Sequence, residues 1–178
     1  MASSTMYEIL NSNNTELILK TLEDNPSFNV NTSYQYTFPL MIACCNKNYT
    51  VMLKLLELGA NIDQCDEYED ESCMVSALYY QEDEKMVKFL VDNGRKLTGS
   101  DIVYIVNNEL DIPFDINEHP DVLHSCWDDL EMCDHFIKLG CKINHIYKHN
   151  SILDIRIQHN HFEFSNELIK LGFTICNP

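Results

Sequence analysis

The stretch Pro39–Asp63, PLMIACCNKNYTVMLKLLELGANID, holds a short helix, a turn, a second helix and a glycine stop in immediate succession. Pro39 suits a first helical position, where the missing amide is no loss, and Leu40, Ile42 and Ala43 give the short helix an apolar side. Asn46–Asn48 breaks it. Val51, Met52, Leu55, Leu56 and Leu58 then recur at helical spacing, and Gly59 stops the run because glycine enters the left-handed conformation without steric cost. Ala60–Asp63 is expected to lead into an extended finger.

This order of elements resembles the ankyrin repeat, whose pattern runs TPLHLA, a turn, an apolar second helix and LLxxGADVN. Pro39, Leu40, Ala43, Leu55, Leu56, Gly59, Ala60, Asn61, Ile62 and Asp63 carry the resemblance. It implies an all-α solenoid of stacked helix-turn-helix units with extended fingers, in which fingers and adjoining short helices line a concave face.

Working outward, residues 1–178 are expected to form a single ankyrin-repeat domain with units at about 5–33, 34–66, 67–98, 119–145 and 146–178, the outer two acting as caps, and an irregular or truncated unit at 99–118. In the first unit Leu17, Ile18, Leu19 and Leu22 supply an apolar face, Thr5 and Asn14 are placed to cap its helices, and Ser27 stands in the glycine position. The third carries Val75, Ala77 and Leu78, then Met86, Val87, Phe89, Leu90 and Val91 before Gly94. Val122, Leu123 and Cys126, then Met132, Phe136, Ile137 and Leu139, lead to Gly140; Ile152, Leu153, Ile155 and Ile157, then Phe164, Leu168, Ile169 and Leu171, lead to Gly172. Three residues past each stop stands an apolar one: Val30, Ile62, Leu97, Ile143 and Ile175.

Glycine-to-glycine steps are 35, 46 and 32 residues (59 to 94, 94 to 140, 140 to 172), and the middle step is too long for one repeat. Within it Ser100 can cap a helix bearing Ile102, Ile105, Val106 and Leu110. A truncated repeat and a plain helical insertion both fit. Ala77, Arg95 and Arg156 depart from the repeat pattern.

Composition narrows the function. The 28 acidic against 12 basic residues give a formal charge of -16, which repels phosphate backbones, argues against nucleic-acid binding and favours a partner with a basic surface. No secretory leader and no membrane-length apolar run is present, so the cytoplasm or nucleus is the expected location. Of the eight cysteines, Cys44, Cys45, Cys133 and Cys176 fall on or beside apolar repeat positions and are expected to be reduced. The glycosylation sequons at Asn13, Asn31 and Asn48 are then idle.

Catalytic signatures are missing. Four of five glycines serve as stops, which leaves Gly99 alone and no phosphate-cradling loop. With no GxSxG elbow or HExxH pair, an enzyme is not expected, nor is a cofactor. All seven histidines lie between His119 and His161 alongside Cys126, Cys133 and Cys141, but none of their close pairs has CxxC spacing, and capping or core roles account for them. A zinc-binding protein is the metal alternative.

The candidate contact residues are the acidic run Asp66, Glu67, Tyr68, Glu69 and Asp70, with Tyr34, Tyr36, Tyr79, Tyr80, Trp127, Tyr147 and His149 at finger or short-helix positions. Tyr79, Tyr80 and Trp127 equally suit packing roles. The Asn-, Asp-, Ile- and Tyr-rich, degenerate repeats resemble ankyrin proteins of large DNA viruses or intracellular microbes. That likeness implies a non-catalytic module that binds and inhibits or sequesters a host or cellular protein, comparable to truncated inhibitor-of-NF-kappaB-like proteins, with no further domain expected after the repeats. A self-associating structural scaffold is the other alternative, and the oligomeric state is open.

Overall fold

Helices make up all the regular structure of the described residues, which are 3–65, 72–126, 128–146, 150–159 and 161–175 of a computed structural model. In order they are α1 (Ser3–Asn11), α2 (Thr15–Asp24), α3 (Pro39–Cys45), α4 (Tyr49–Glu57), α5 (Cys73–Val75) running into a π-helical turn (Ser76–Tyr80), α6 (Glu84–Asp92), α7 (Gly99–Asn107), a 3-10 turn (Ile116–Glu118), α8 (Val122–Ser125), α9 (Leu130–Lys138), α10 (Ile152–Gln158) and α11 (Phe162–Lys170). Two compact units divide the chain, Met1–Lys96 and Leu97–Pro178.

The first unit holds three helix pairs. Asn14, Asn48, Ser72 and Asp83 start α2, α4, α5 and α6, each side chain accepting a backbone N–H three residues on. Gly59 and Gly94 end α4 and α6 at φ 90° and 97°, and Asn13, Lys47 and Glu82 take the left-handed turn after the first helix of each pair at φ 52°, 51° and 47°. Helices α1, α3 and α5 lie side by side in that order, and α2 lies against α4. Their shared core includes Met6, Leu10, Ile18, Leu22, Leu40, Met52, Leu55, Met74, Leu78, Met86 and Leu90.

Side chains and backbone amides join one pair to the next. Asn31 accepts the Asn61 N–H at 2.7 Å and donates to the Gly59 carbonyl at 2.9 Å. Asp63, which follows Ile62 as Asn31 follows Val30, meets the Arg95 guanidinium at 2.9 Å. Arg95 therefore departs from the repeat pattern because it completes this joint. Asn48 donates its amide to Thr15 Oγ1 at 2.9 Å while it caps α4, so both its polar atoms are engaged.

In the second unit a Thr98–Asp101 capping box starts α7, so Thr98 takes the role expected of Ser100. The helix ends at Glu109, a left-handed residue at φ 54°, with Leu110 N–H donating to the Ile105 carbonyl as Ala60 does to Leu55. The long glycine interval, 94 to 140, thus holds one extra helix, α7, ahead of the pair α8–α9, and a glutamate takes the left-handed position where other units use glycine. Gly99 brings α7 close to α8, since a Cβ there would stand 2.7 Å from Ser125 Oγ and 3.0 Å from Val122 Cα. Pairs α8–α9 and α10–α11 follow, the last begun by a Ser151–Asp154 box, and Asn144 accepts the Thr174 N–H at 2.7 Å.

Several core assignments differ from the sequence pattern. Leu17 is 43% exposed, and Thr21 is buried instead because its hydroxyl donates to the Leu17 carbonyl at 2.7 Å. Thr5 lies inside α1, and α2 stops at Asp24 before Pro26, with no left-handed residue at Ser27. Leu58, Leu139, Ile169 and Ile175 are exposed. Of the residues three past a stop Val30 and Leu97 are buried; after Gly59, Gly140 and Gly172 the buried residue is the one directly following, Ala60, Cys141 or Phe173, because its N–H closes onto the last helical turn and brings its side chain with it.

Candidate functional site

The first finger closes at Tyr34 and Thr37, which exchange backbone bonds of 2.8 and 3.2 Å around Gln35 and Tyr36 at φ 51° and 66°. Two left-handed central residues make the mirror-image turn that matches strand twist. Tyr36, at its tip, is 62% exposed. Tyr34 is half-buried, its ring 5.1 Å from that of Tyr7, whose hydroxyl donates to the Thr32 carbonyl and whose burial raises its pKa to about 12. The finger is therefore anchored to α1 at its base.

The second finger closes at a bridge between Cys65 and Ser72. Asp66, Glu67, Tyr68, Glu69 and Asp70 stand between these two, outside the described residues, as do Trp127, Tyr147 and His149.

Beyond that bridge, α5 widens into the π-helical turn, with Gln81 N–H donating to the Ser76 carbonyl at 3.0 Å. Ser76, Ala77 and Leu78 are buried while Tyr79 and Tyr80 are 45% and 68% exposed. A small residue at Ala77 lets the wide turn sit in the core. Gln81 Nε2 donates to Ser76 Oγ at 2.8 Å and fastens the end of the segment. Single π turns of this kind recur at functional sites. The structure thus presents Tyr36, Tyr79 and Tyr80 as exposed rings on fixed supports within one unit.

The second unit adds a feature the sequence did not reveal. Leu130 of α9 and Phe162, Phe164, Glu167 and Lys170 of α11 line an open groove of about 1040 Å³. Phe162 is 59% exposed there, and only its place beside α9 shows it as part of a surface. Among the described residues no group of three or more His, Cys, Asp or Glu converges as metal ligands would, and no helix is long and apolar enough to cross a membrane. His124 Nε2 lies 3.1 Å from the Asn150 carbonyl, and burial pushes its pKa below the usual imidazole value.

Residues 37–67 match the family model for the ankyrin repeat. The fold is that of the ankyrin repeat. Among solved structures, the ankyrin repeat domain of Bcl-3, a member of the IkappaB protein family, is similar over 95% of this chain and 86% of its own at 14% identity, with a TM-score of 0.54. A structure of the Bd0816 predatory endopeptidase from Bdellovibrio bacteriovorus with immunity protein Bd3460 is similar over 96% of this chain and 99% of the matched one, also at 14% identity, with a TM-score of 0.50. At such identities the likeness concerns ankyrin architecture alone. No curated protein sequence matches the chain.

Proposed function

We propose that this chain is a non-catalytic protein-binding module whose contact surface is built from finger tips and first-helix ends, and that it acts by inhibiting or sequestering its partner. Ankyrin repeats generally serve as protein–protein interaction modules. The observation that carries the reading is the set of exposed tyrosines, Tyr36, Tyr79 and Tyr80, on a finger and a helix end that hydrogen bonds already fix. Aromatic rings on rigid supports are efficient anchors because little side-chain and loop entropy is lost on binding. Tyr34 braces the finger, and Trp127, Tyr147 and His149 extend the candidate set.

The acidic run Asp66, Glu67, Tyr68, Glu69 and Asp70, which the sequence sets between Cys65 and Ser72, suits a partner with a basic face and would speed encounter. The Bdellovibrio relative in fold comes from a complex of an endopeptidase with an immunity protein, a pairing of the kind proposed. Degenerate repeats of this style suit the cytoplasm or nucleus of a host cell.

A photo-crosslinking residue placed at Tyr36 or Tyr80 is expected to capture a binding partner, while the same residue at Leu53, exposed on α4, captures none. Preferential capture from Leu53 would move the interface to the outer helices. Reversing Glu67, Glu69 and Asp70 is expected to slow association, most at low salt. An unchanged rate removes the acidic finger from the surface.

A further inference from the structure

Cys126, which closes α8, and Cys133, in α9, face each other in the second unit with sulfurs 3.6 Å apart. They are 2% and 0% exposed. Cys133 Sγ also lies 3.3 Å from the Cys126 carbonyl, and Cys126 Sγ lies 3.7 Å from that of Leu123. A disulfide needs sulfurs about 2.05 Å apart. The two sulfurs, at 3.6 Å, must therefore approach by about 1.6 Å for the bond to form.

A cation also acts on this pair. Arg156, the residue of α10 that departs from the repeat pattern, is buried at 3% exposure with its guanidinium 4.3 Å over the Phe164 ring. The hydrogen bond with Cys126 holds the Cys133 thiol below its usual range against the opposing effects of burial and Asp129, and the Arg156 charge acts in the same direction. Cys44 and Cys73 in the first unit are also close neighbours, with Cys44 Sγ 3.7 Å from the Cys73 carbonyl, but there the interaction with Cys44 and burial both push the Cys73 thiol up. Cys126 is pushed up in the same way by Cys133 and by burial, so within its own pair Cys133 is the thiol that supplies the reactive thiolate.

We propose that Cys126 and Cys133 form a reversible oxidation site, which a peroxide converts to an intramolecular disulfide. The Cys133 thiolate attacks one oxygen of hydrogen peroxide; the O–O bond breaks, Cys133 becomes a sulfenic acid, and the departing hydroxide takes up a proton as water. Cys126 sulfur then attacks the Cys133 sulfur, the S–S bond forms, and the expelled hydroxyl leaves as a second water with the Cys126 proton. Peroxide gains two electrons and the two thiols lose them. The bond ties the end of α8 to the first turns of α9, and a dithiol reductant restores both thiols.

The test is a peroxide titration of the folded full chain, followed by maleimide trapping, unfolding and peptide mapping without reduction. The expected result is a Cys126–Cys133 cross-linked peptide about 2 Da lighter than its reduced parts, reversed by dithiothreitol and formed before any Cys44–Cys73 link. Arg156→Met, checked for folding by circular dichroism, is expected to slow this link several-fold, and Arg156→Lys to restore most of the rate. The proposal is overturned if Cys126 and Cys133 stay alkylatable at a dose that oxidises the exposed Cys45 and Cys65. A Cys44–Cys73 link that forms first would likewise defeat it.

Discussion

Lys47 and Asp83 meet at 2.6 Å between the turns of two successive helix pairs, and the same Asp83 carboxylate accepts the Met86 N–H that opens α6. One side chain thus caps a helix and joins two pairs. Burial works to raise its pKa, but the Lys47 hydrogen bond and the helix N–H together hold it below the usual carboxylate value. A depressed carboxylate adds stability that is fully present above its unfolded pKa of about 3.9 and is lost as pH falls through the lower folded value. Urea unfolding of the native chain and Asp83→Asn should therefore differ by a constant amount from pH 5 to 7 and converge below about pH 4. A gap that does not shrink as pH falls below about 4 would show that Asp83 acts without its charge.

Leu55 is fully buried in α4, whereas Leu58 at the end of the same helix is 44% exposed. Leu55→Ala is expected to destabilise by roughly 2 to 5 kcal/mol, and Leu58→Ala by less than about 1 kcal/mol. Comparable losses by chemical denaturation would refute this orientation of α4.

Glu109 occupies a left-handed turn at φ 54° and its side chain is exposed. An L-residue there bears a conformational cost of roughly 1 kcal/mol that glycine avoids. Glu109→Gly is expected to raise stability by about 0.5 to 1 kcal/mol, and Gly94→Ala, at φ 97°, to lower it by at least about 1 kcal/mol. A destabilised Glu109→Gly protein would argue that the glutamate side chain holds a contact of its own.

Gly99 lies within α7, where alanine is ordinarily favoured, yet a Cβ there would meet the backbone of Val122 at 3.0 Å. Gly99→Ala is expected to lower stability by about 1 to 3 kcal/mol by forcing α7 away from α8. Thermal melts of the single variant check this, and an unchanged melting temperature would mean the two helices part easily.

Most of the fold was legible because helix periodicity and the four glycine stops are local signals. The stretch Pro39–Asp63 shows why: its proline start, apolar helices and glycine each act within a few residues, and the family match falls on the same segment. What escaped was non-local or chemically disguised. Glu109 performs a glycine's turn, Thr98 outcompetes Ser100 as a cap because Asp101 can return its hydrogen bond, and Arg95 makes sense only once Asp63 is seen beside it. For the proposed contact surface, sequence pointed to Tyr36, Tyr79 and Tyr80 by their place in the repeat, but could not separate them from Tyr34, whose ring packs beside that of Tyr7, more than twenty residues earlier.

The bridges at Tyr34–Thr37 and Cys65–Ser72 close fingers that enclose two and six residues respectively. Because each loop is shut at its base, the helices below do not register how much sequence lies above. These tips are therefore natural cassettes, places where insertion, randomisation or transplantation can change the exposed surface without redesigning the body beneath it.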